Sequence, residues 1–312
     1  MISCTEFIGA YSELFTYLDE KWGHEEVERF WTYLFEPTGK GIPLINFAKE
    51  KGLRGCWEYW SGTLSEEASD VTAYFNEEKG WVTSTMHYCP SKGRLLELQE
   101  QIGLVPYYDY CEHCNYYRSA LDKVGLKWIR NHIHVDKAQC SSILYDPKRF
   151  NGTMVMDENT EVLEIRSKDT EYFHPDFHSS LNMGIDYIAK EHGEDALIEY
   201  LTVYTNHVYK PVFQAMQKDP LAAIETKIRD TYKNEKAEGV LHIHNDGQTL
   251  SVRIDFCPAV KHLRATGREV SRWFQYSTSV VMQILAEHGR LRFVMDSYDP
   301  DTGAAAYSFS KP

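Results

Sequence analysis

The chain has 312 residues, 43% hydrophobic and 25% charged, a globular balance with length enough for two ordinary domains. A formal net charge of −13 argues against nucleic acid and anionic membrane as main partners, because both need a basic surface. No run reaches the ~18–20 apolar residues of a membrane span, and Met1-Ile2-Ser3-Cys4-Thr5-Glu6 lacks the basic start and apolar core of a signal peptide, so a cytoplasmic location is expected.

In chain order, residues 12–35 read as two helices punctuated by Gly23, since Leu14, Leu18, Val27, Phe30, Trp31 and Leu34 recur at helical spacing. A turn is expected at Pro37-Thr38-Gly39-Lys40-Gly41, then helical segments over 45–51 and 56–60 and a further helix opening at Ser65-Glu66-Glu67. Residues 76–80 form a turn, and 81–88 a strand. Pro90 is pre-set for the first turn of a helix, which makes Cys89 its N-cap and puts the thiol in a strand-to-helix corner. The next helix is expected to open at Asp109 and stop at Gly125, with Glu112 at capping-box spacing and Cys111 and Cys114 on one face. Unpaired N–H groups at such a start favour thiolate over thiol. Residues 127–135 alternate Trp128, Arg130, His132 and His134 against Ile129, Asn131, Ile133 and Val135, which is strand periodicity, and Asp136-Lys137 turns into the strand carrying Cys140.

From about 145 to 172 the composition becomes polar, with turn signals at Asn151-Gly152 and Asp157-Glu158-Asn159, dividing the chain into 1–150, a linker 151–172, and 173–312. The second half repeats the first. Tyr17, Leu18 and Gly23 match Tyr187, Ile188 and Gly193 at an offset of 170 (187 − 17); Val82, Met86, Tyr88, Cys89 and Pro90 match Leu250, Ile254, Phe256, Cys257 and Pro258 at 168 (257 − 89); Gly125 matches Gly289 at 164 (289 − 125). The expected fold is therefore α+β: a tandem duplication of a helical region plus a strand-helix-helix-β-hairpin unit, with residues 12–144 and 182–309 equivalent and packed as a pseudo-dimer.

Seven cysteines, an odd number spread through a long chain, point to reduced thiols with catalytic or metal-binding use rather than a disulfide framework. Around Cys111 and Cys114 the second copy reads Tyr276-Ser277-Thr278-Ser279, and Ala306 stands against Cys140, so that only Cys257 is kept. A duplicated fold needs its core in both copies, whereas chemistry needs only one; the thiols confined to the first copy point to chemistry more than to packing.

Three readings of Cys89, Cys111, Cys114 and Cys140 stay open. A thiolate activated by a helix N-terminus attacks an electrophilic C=N carbon, with His113 or Glu112 moving protons. Alternatively, Cys-x-x-Cys with two distant cysteines binds zinc or an iron–sulfur cluster in a non-catalytic sensor or binding protein. In the third reading they fill core space. His132-Ile133-His134 and His242-Ile243-His244 each set two imidazoles on one strand face, and His174 and His178 have i, i+4 spacing; such pairs can ligate a metal, though surface or hydrogen-bonded histidine is the plainer reading. Tyr107, Tyr108, Tyr110, Tyr116 and Tyr117 are core or groove lining, and those beside Cys111 could line a pocket for a small planar ligand. No phosphate-binding glycine loop, dinucleotide fingerprint or serine-hydrolase elbow occurs.

At Cys89, Tyr110-Cys111-Glu112-His113-Cys114 and Gln139-Cys140-Ser141, over roughly residues 81–144, the chain resembles the L-2-amino-thiazoline-4-carboxylic acid hydrolase family. The resemblance implies a small-molecule hydrolase that opens a C–N bond in a sulfur- and nitrogen-containing ring; Cys89, Cys111, Glu112, His113 and Cys140 are the catalytic residues expected under the nucleophile reading. Two positions depart from the family pattern: Cys114 stands where an acidic residue is expected, and Ser141 where Asp is expected. Either change could alter the substrate or bring in a metal. The closing hairpin is also similar to the small-molecule-binding vinyl-4-reductase type of domain.

Overall fold

The structure, a computed structural model, describes residues 1–35 and 43–312; the turn expected at Pro37-Thr38-Gly39-Lys40-Gly41 lies outside them. It is a mixed α+β fold. In chain order come α1 (Phe7–Trp22), α2 (His24–Phe35), α3 (Leu44–Lys51), α4 (Leu53–Glu66), β1 (Asp70–Asn76), β2 (Trp81–Tyr88), α5 (Pro90–Ile102), a 3₁₀ segment (Tyr110–Tyr116), α6 (Tyr117–Asp122), β3 (Lys127–His134), β4 (Gln139–Tyr145) and β5 (Glu161–Ile165). They are followed by α7 (Phe177–Glu191), α8 (Glu194–Val208), α9 (Lys210–Met216), α10 (Pro220–Asn234), β6 (Leu241–Asn245), β7 (Thr249–Ile254), α11 (Pro258–Ala265), α12 (Tyr276–His288), β8 (Arg292–Tyr298) and β9 (Ala305–Ser310). No helix among the described residues is long and apolar enough to cross a membrane.

The chain separates into two compact units. One holds a five-stranded sheet and comprises Leu18–Glu97 and Pro106–His174; the other holds a four-stranded sheet and comprises Met1–Tyr17, Leu98–Val105 and Pro175–Pro312. A boundary near residue 150 does not anticipate that the first 17 residues and the end of α5 belong with the C-terminal unit.

The five-stranded sheet is ordered β3-β4-β2-β1-β5 and is antiparallel throughout. Its core gathers Leu53, Cys56 and Trp57 of α4, Ala73 and Phe75 of β1, Val82, Leu121, Trp128 and Leu144. In the four-stranded sheet, ordered β6-β7-β9-β8, the strand period is plain: Leu250, Val252 and Ile254 are buried between exposed Ser251 and Arg253, and Ala305, Tyr307 and Phe309 face the same core. Both units run hairpin, helix, helix, hairpin, and in both sheets the second strand of one hairpin pairs with the second strand of the other.

The register bears on two of the equivalences read from sequence. Met86 faces Cys140 and Ile254 faces Ala305, while on the hairpin side His132 faces Cys140 and Ser297 faces Ala306, so the bulge between Met295 and Ser297 makes the place of Cys140 fall on Ala305 by one register and on Ala306 by the other. Gly125 ends its helix with φ +81°, and the residue that does so in the other unit is Arg290 (φ +52°), not Gly289 (φ −79°). In each case the next N–H closes the same turn, Leu126 onto the Leu121 carbonyl and Leu291 onto that of Ala286.

Three local expectations fail for identifiable reasons. No helix opens at Ser65: α4 ends at Glu66, Ala68 turns the chain at φ +52°, and Val71, Ala73 and Phe75 are buried in β1 as it pairs with β2. The Asp109 capping box does not form, because Glu112 is taken by Asn115 and His132, and the segment is a 3₁₀ turn leading into the short α6. Within 151–172 lies β5, an edge strand against β1 whose Glu161 and Glu164 face outward and so read as linker.

Candidate thiolate–guanidinium site

The site lies wholly in the five-stranded unit and starts from the β3–β4 hairpin. Trp128, Arg130 and His132 share one face of β3; Trp128 is buried in the core, so strand alternation carries the Arg130 guanidinium inward with it. In the register, Arg130 faces Ser142 and His132 faces Cys140. The hairpin turn at Ala138 (φ +55°) accepts a 2.7 Å hydrogen bond from the Cys89 backbone N–H, pinning the strand-to-helix corner to the hairpin. Cys89 caps α5 as expected: its carbonyl accepts from Gly93 N–H at 2.7 Å, and its sulfur lies 3.5 Å from the Lys92 N–H that points at it. At Gly93 a Cβ would come within 2.3 Å of the Tyr88 ring, so any larger residue here must displace that ring.

Arg130 therefore meets sulfur. Its Nη2 donates to Cys140 Sγ at 3.0 Å, it also hydrogen-bonds Cys114, and among the described residues its Nε has no partner and no carboxylate pairs with it. A buried guanidinium needs a counter-charge, and the thiols are the groups in reach. They respond unequally. Burial alone would raise Cys114, but the Arg130 guanidinium, followed by His113, outweighs it and brings this thiol down to about 6. Burial pushes Cys89 up to about 12 and Cys111 up to about 11, against the opposing pull of Arg130 and, respectively, the Lys92 N–H and the Lys92 charge. Cys140 is also raised by burial, in spite of its bond to Arg130. Of the four, Cys114 alone is thus brought below neutrality, while Cys89 and Cys111, also expected at helix starts, are not.

His113 completes the centre. Its Nδ1 lies 2.5 Å from the Tyr110 carbonyl, which fixes Nδ1 as the donor and leaves Nε2, 3.4 Å from Cys114 Sγ, to share the thiol proton. Burial works against protonation of His113, yet the charge of Cys114 and the bonds to Cys114 and Tyr110 raise its pKa. Glu67, which sequence reading did not single out, feels the same charges: burial lifts its carboxyl to about 6, with His174, Cys114, Arg94 and His113 as its electrostatic neighbours. Glu112 is directed elsewhere, its two oxygens held by His132 at 2.9 Å and Asn115 at 2.5 Å.

The other expected residues are dispersed. His242 pairs with Asp255 at 2.8 Å, His174 with Glu66 at 2.6 Å and His178 with Glu235 at 3.0 Å, so each of these imidazoles has its own carboxylate. Exposed His134 and half-buried His132 do not share a partner that would make them a ligand pair. Tyr107 donates to Asp19 and meets His24, while Tyr117 packs edge-on against Phe35 and Trp60; Tyr110 stays beside the site, its ring 4.9 Å from that of His113. Among the described residues, the group of three or more side chains whose ligand atoms all lie within 4.8 Å is Cys4, His178 and Glu235; Cys89, Cys111, Cys114 and Cys140 do not form one.

In the four-stranded unit the corresponding places are apolar or neutral. Met295 pairs with Tyr307 as Arg130 pairs with Ser142, Ala305 faces Ile254 as Cys140 faces Met86, and Cys257, buried and raised by that burial, precedes α11 as Cys89 precedes α5. No family model, curated protein or solved structure matches the chain.

Proposed function

We propose that the chain is a thiol-dependent hydrolase that opens a C–N bond in a small sulfur- and nitrogen-containing heterocycle or amidine-like compound, as the resemblance to the thiazoline hydrolase family implies, and that Cys114 is its nucleophile. The observation that carries this reading is the contact of one thiol with both a buried guanidinium and an imidazole, which holds Cys114 as thiolate while its three neighbours stay protonated. The thiolate adds to the C=N carbon. The electron pair of the C=N bond moves to nitrogen, which takes the proton that His113 Nε2 holds. The adduct then expels the ring nitrogen as an amine, with a second proton from solvent or His113, leaving a thioimidate on Sγ. Water adds to that carbon, the C–S bond breaks, and the thiolate returns to Arg130; amidine and water become amide and amine. The shared strand order and the neutral counterpart in the other sheet support a tandem duplication in which one copy kept the chemistry.

The test is turnover of a panel of aminothiazolines and amidines by the wild-type, Cys114→Ser and Cys257→Ser proteins, with intact-mass detection of the covalent intermediate. Turnover and an adduct mapped to Cys114 are expected, both lost in Cys114→Ser and kept in Cys257→Ser. Full turnover by Cys114→Ser would refute the assignment, as would co-purification of a metal or cluster ligated by the four cysteines, the sensor alternative.

A further inference from the structure

We infer a second, independent site: a zinc-type divalent cation held by Cys4, His178 and Glu235 in the four-stranded unit. The three come from separate segments. Cys4 lies just before α1, in a turn tied by Ser3 N–H to the Glu6 carboxylate at 3.0 Å; His178 is in the first turn of α7; Glu235 caps the C-terminus of α10. Exposure is 1% for Cys4, 1% for His178 and 5% for Glu235, so thiol, imidazole and carboxylate are all withdrawn from water. Their ligand atoms lie within 4.8 Å of one another. Three unlike polar groups converging at one buried point from distant parts of the chain is an expensive arrangement to keep for packing alone.

Protons now do what a cation would do. Glu235 accepts from the Cys4 backbone N–H at 2.6 Å and from its thiol, and faces His178 Nε2 at 3.0 Å. The other ring nitrogen, Nδ1, is buried and has no hydrogen-bond partner among the described residues, the kind of buried polar group that calls for an explanation. Entry of a divalent ion would displace the protons shared at this point: the thiol gives one to solvent, as does His178 wherever it is protonated, and thiolate plus carboxylate then balance the two positive charges with a neutral imidazole. One sulfur, one nitrogen and one carboxylate oxygen select a borderline ion over the hard, oxygen-seeking calcium or magnesium. Three protein ligands leave a fourth position for water, the pattern of reactive rather than purely structural zinc.

Zinc and cobalt(II) binding to the Cys111→Ser/Cys114→Ser protein, which lacks the other thiol centre, tests this. One equivalent per chain is expected, with a sulfur-to-cobalt charge-transfer band that disappears in Cys4→Ser, and at least ~100-fold weaker zinc binding in Glu235→Gln. If those variants fail to fold, X-ray absorption of the zinc-loaded wild-type chain decides without any substitution: one sulfur among nitrogen and oxygen neighbours supports the site. A zinc shell with four sulfurs, with none, or no binding at all overturns it, as does a cobalt band that survives Cys4→Ser.

Discussion

Replacing Arg130 with Met, the residue at the corresponding place in the other sheet, should return Cys114 to ordinary thiol behaviour without leaving an unpaired charge, because the thiol then simply stays protonated. Arg130 is the foremost influence opposing burial at Cys114, which sits at about 6 against an ordinary value of 9.0. If the variant reaches only that ordinary value, acidity falls about a thousandfold. At pH 7 the thiolate fraction drops ~90-fold, but a more basic sulfur is a better nucleophile by ~20-fold for a Brønsted slope near 0.45, so the observed rate changes only ~4-fold. At about pH 5.5 the fraction drops ~760-fold and the net loss is ~30-fold. The decisive assay is therefore reaction with an aromatic disulfide across about pH 4.5 to 9.5, following Cys114 by peptide mapping. A midpoint near 6 in the wild type that moves above 8 in Arg130→Met is expected. A variant whose midpoint stays where it was would refute the guanidinium as the cause, and a wild type with no midpoint below 7 would remove the activated thiolate altogether.

Further outcomes can be checked independently. Cys114 is depressed in the folded state, so its contribution to stability is present above the unfolded value near 8.5 and is lost as pH falls through 6; chemical denaturation should show the wild type losing about 1–2 kcal/mol relative to Cys114→Ser between about pH 9 and pH 5, after discounting a linkage ceiling of ~3.4 kcal/mol for partial exposure. Gly93→Ala places a Cβ against the Tyr88 ring and should cost about 1–3 kcal/mol in urea while freeing the Tyr88 hydroxyl from Glu97; an unchanged midpoint would mean that the ring moves aside without penalty. Leu144→Ala empties a fully buried core position on β4, the strand that carries Cys140, and should cost about 2–5 kcal/mol, with a raised Cys114 midpoint if the β3–β4 hairpin loosens with it. Glu67→Gln removes a carboxyl that shares the Cys114 field and should lower the Cys114 midpoint; a rise would place Glu67 outside that field.

What could be read from the residues was local. Gly23 between two helices, Pro90 after a β-like run and the alternation around Trp128 each name a backbone state that few other residues adopt in that setting, and α1, α2, β2, α5 and β3 follow from them. What escaped depended on partners distant in sequence. The alternation over 127–135 left open which face is inward, and only the burial of Trp128 turns the Arg130 face that way. The helix expected from Asp109 fails because Glu112 finds His132, twenty residues on, in place of its own N-terminal amide. β5 escaped because its apolar Val162, Leu163 and Ile165 are interrupted by Glu161 and Glu164 and set in a polar stretch, so only its pairing with β1 marks it as a strand. Cys4, His178 and Glu235 carry no motif, since their proximity is created by three loops and helix ends that meet only after folding.

The pinning of Cys89 to Ala138 has a bearing on how the chain is made. Arg130 and Cys114 are sixteen residues apart and lie on segments that touch only when β3 has found its register with β4 and the hairpin turn has closed over the corner at Cys89. A slip of one residue would send the guanidinium to solvent and leave every sulfur in the group an ordinary, slow thiol. At mildly acid pH, where an ordinary thiol is almost wholly protonated, this reactivity therefore arrives only with assembly. A nascent or misregistered chain carries only the small thiolate fraction of an ordinary thiol, and the appearance of fast labelling at Cys114 during refolding near about pH 5.5 would time the closing of that single hairpin.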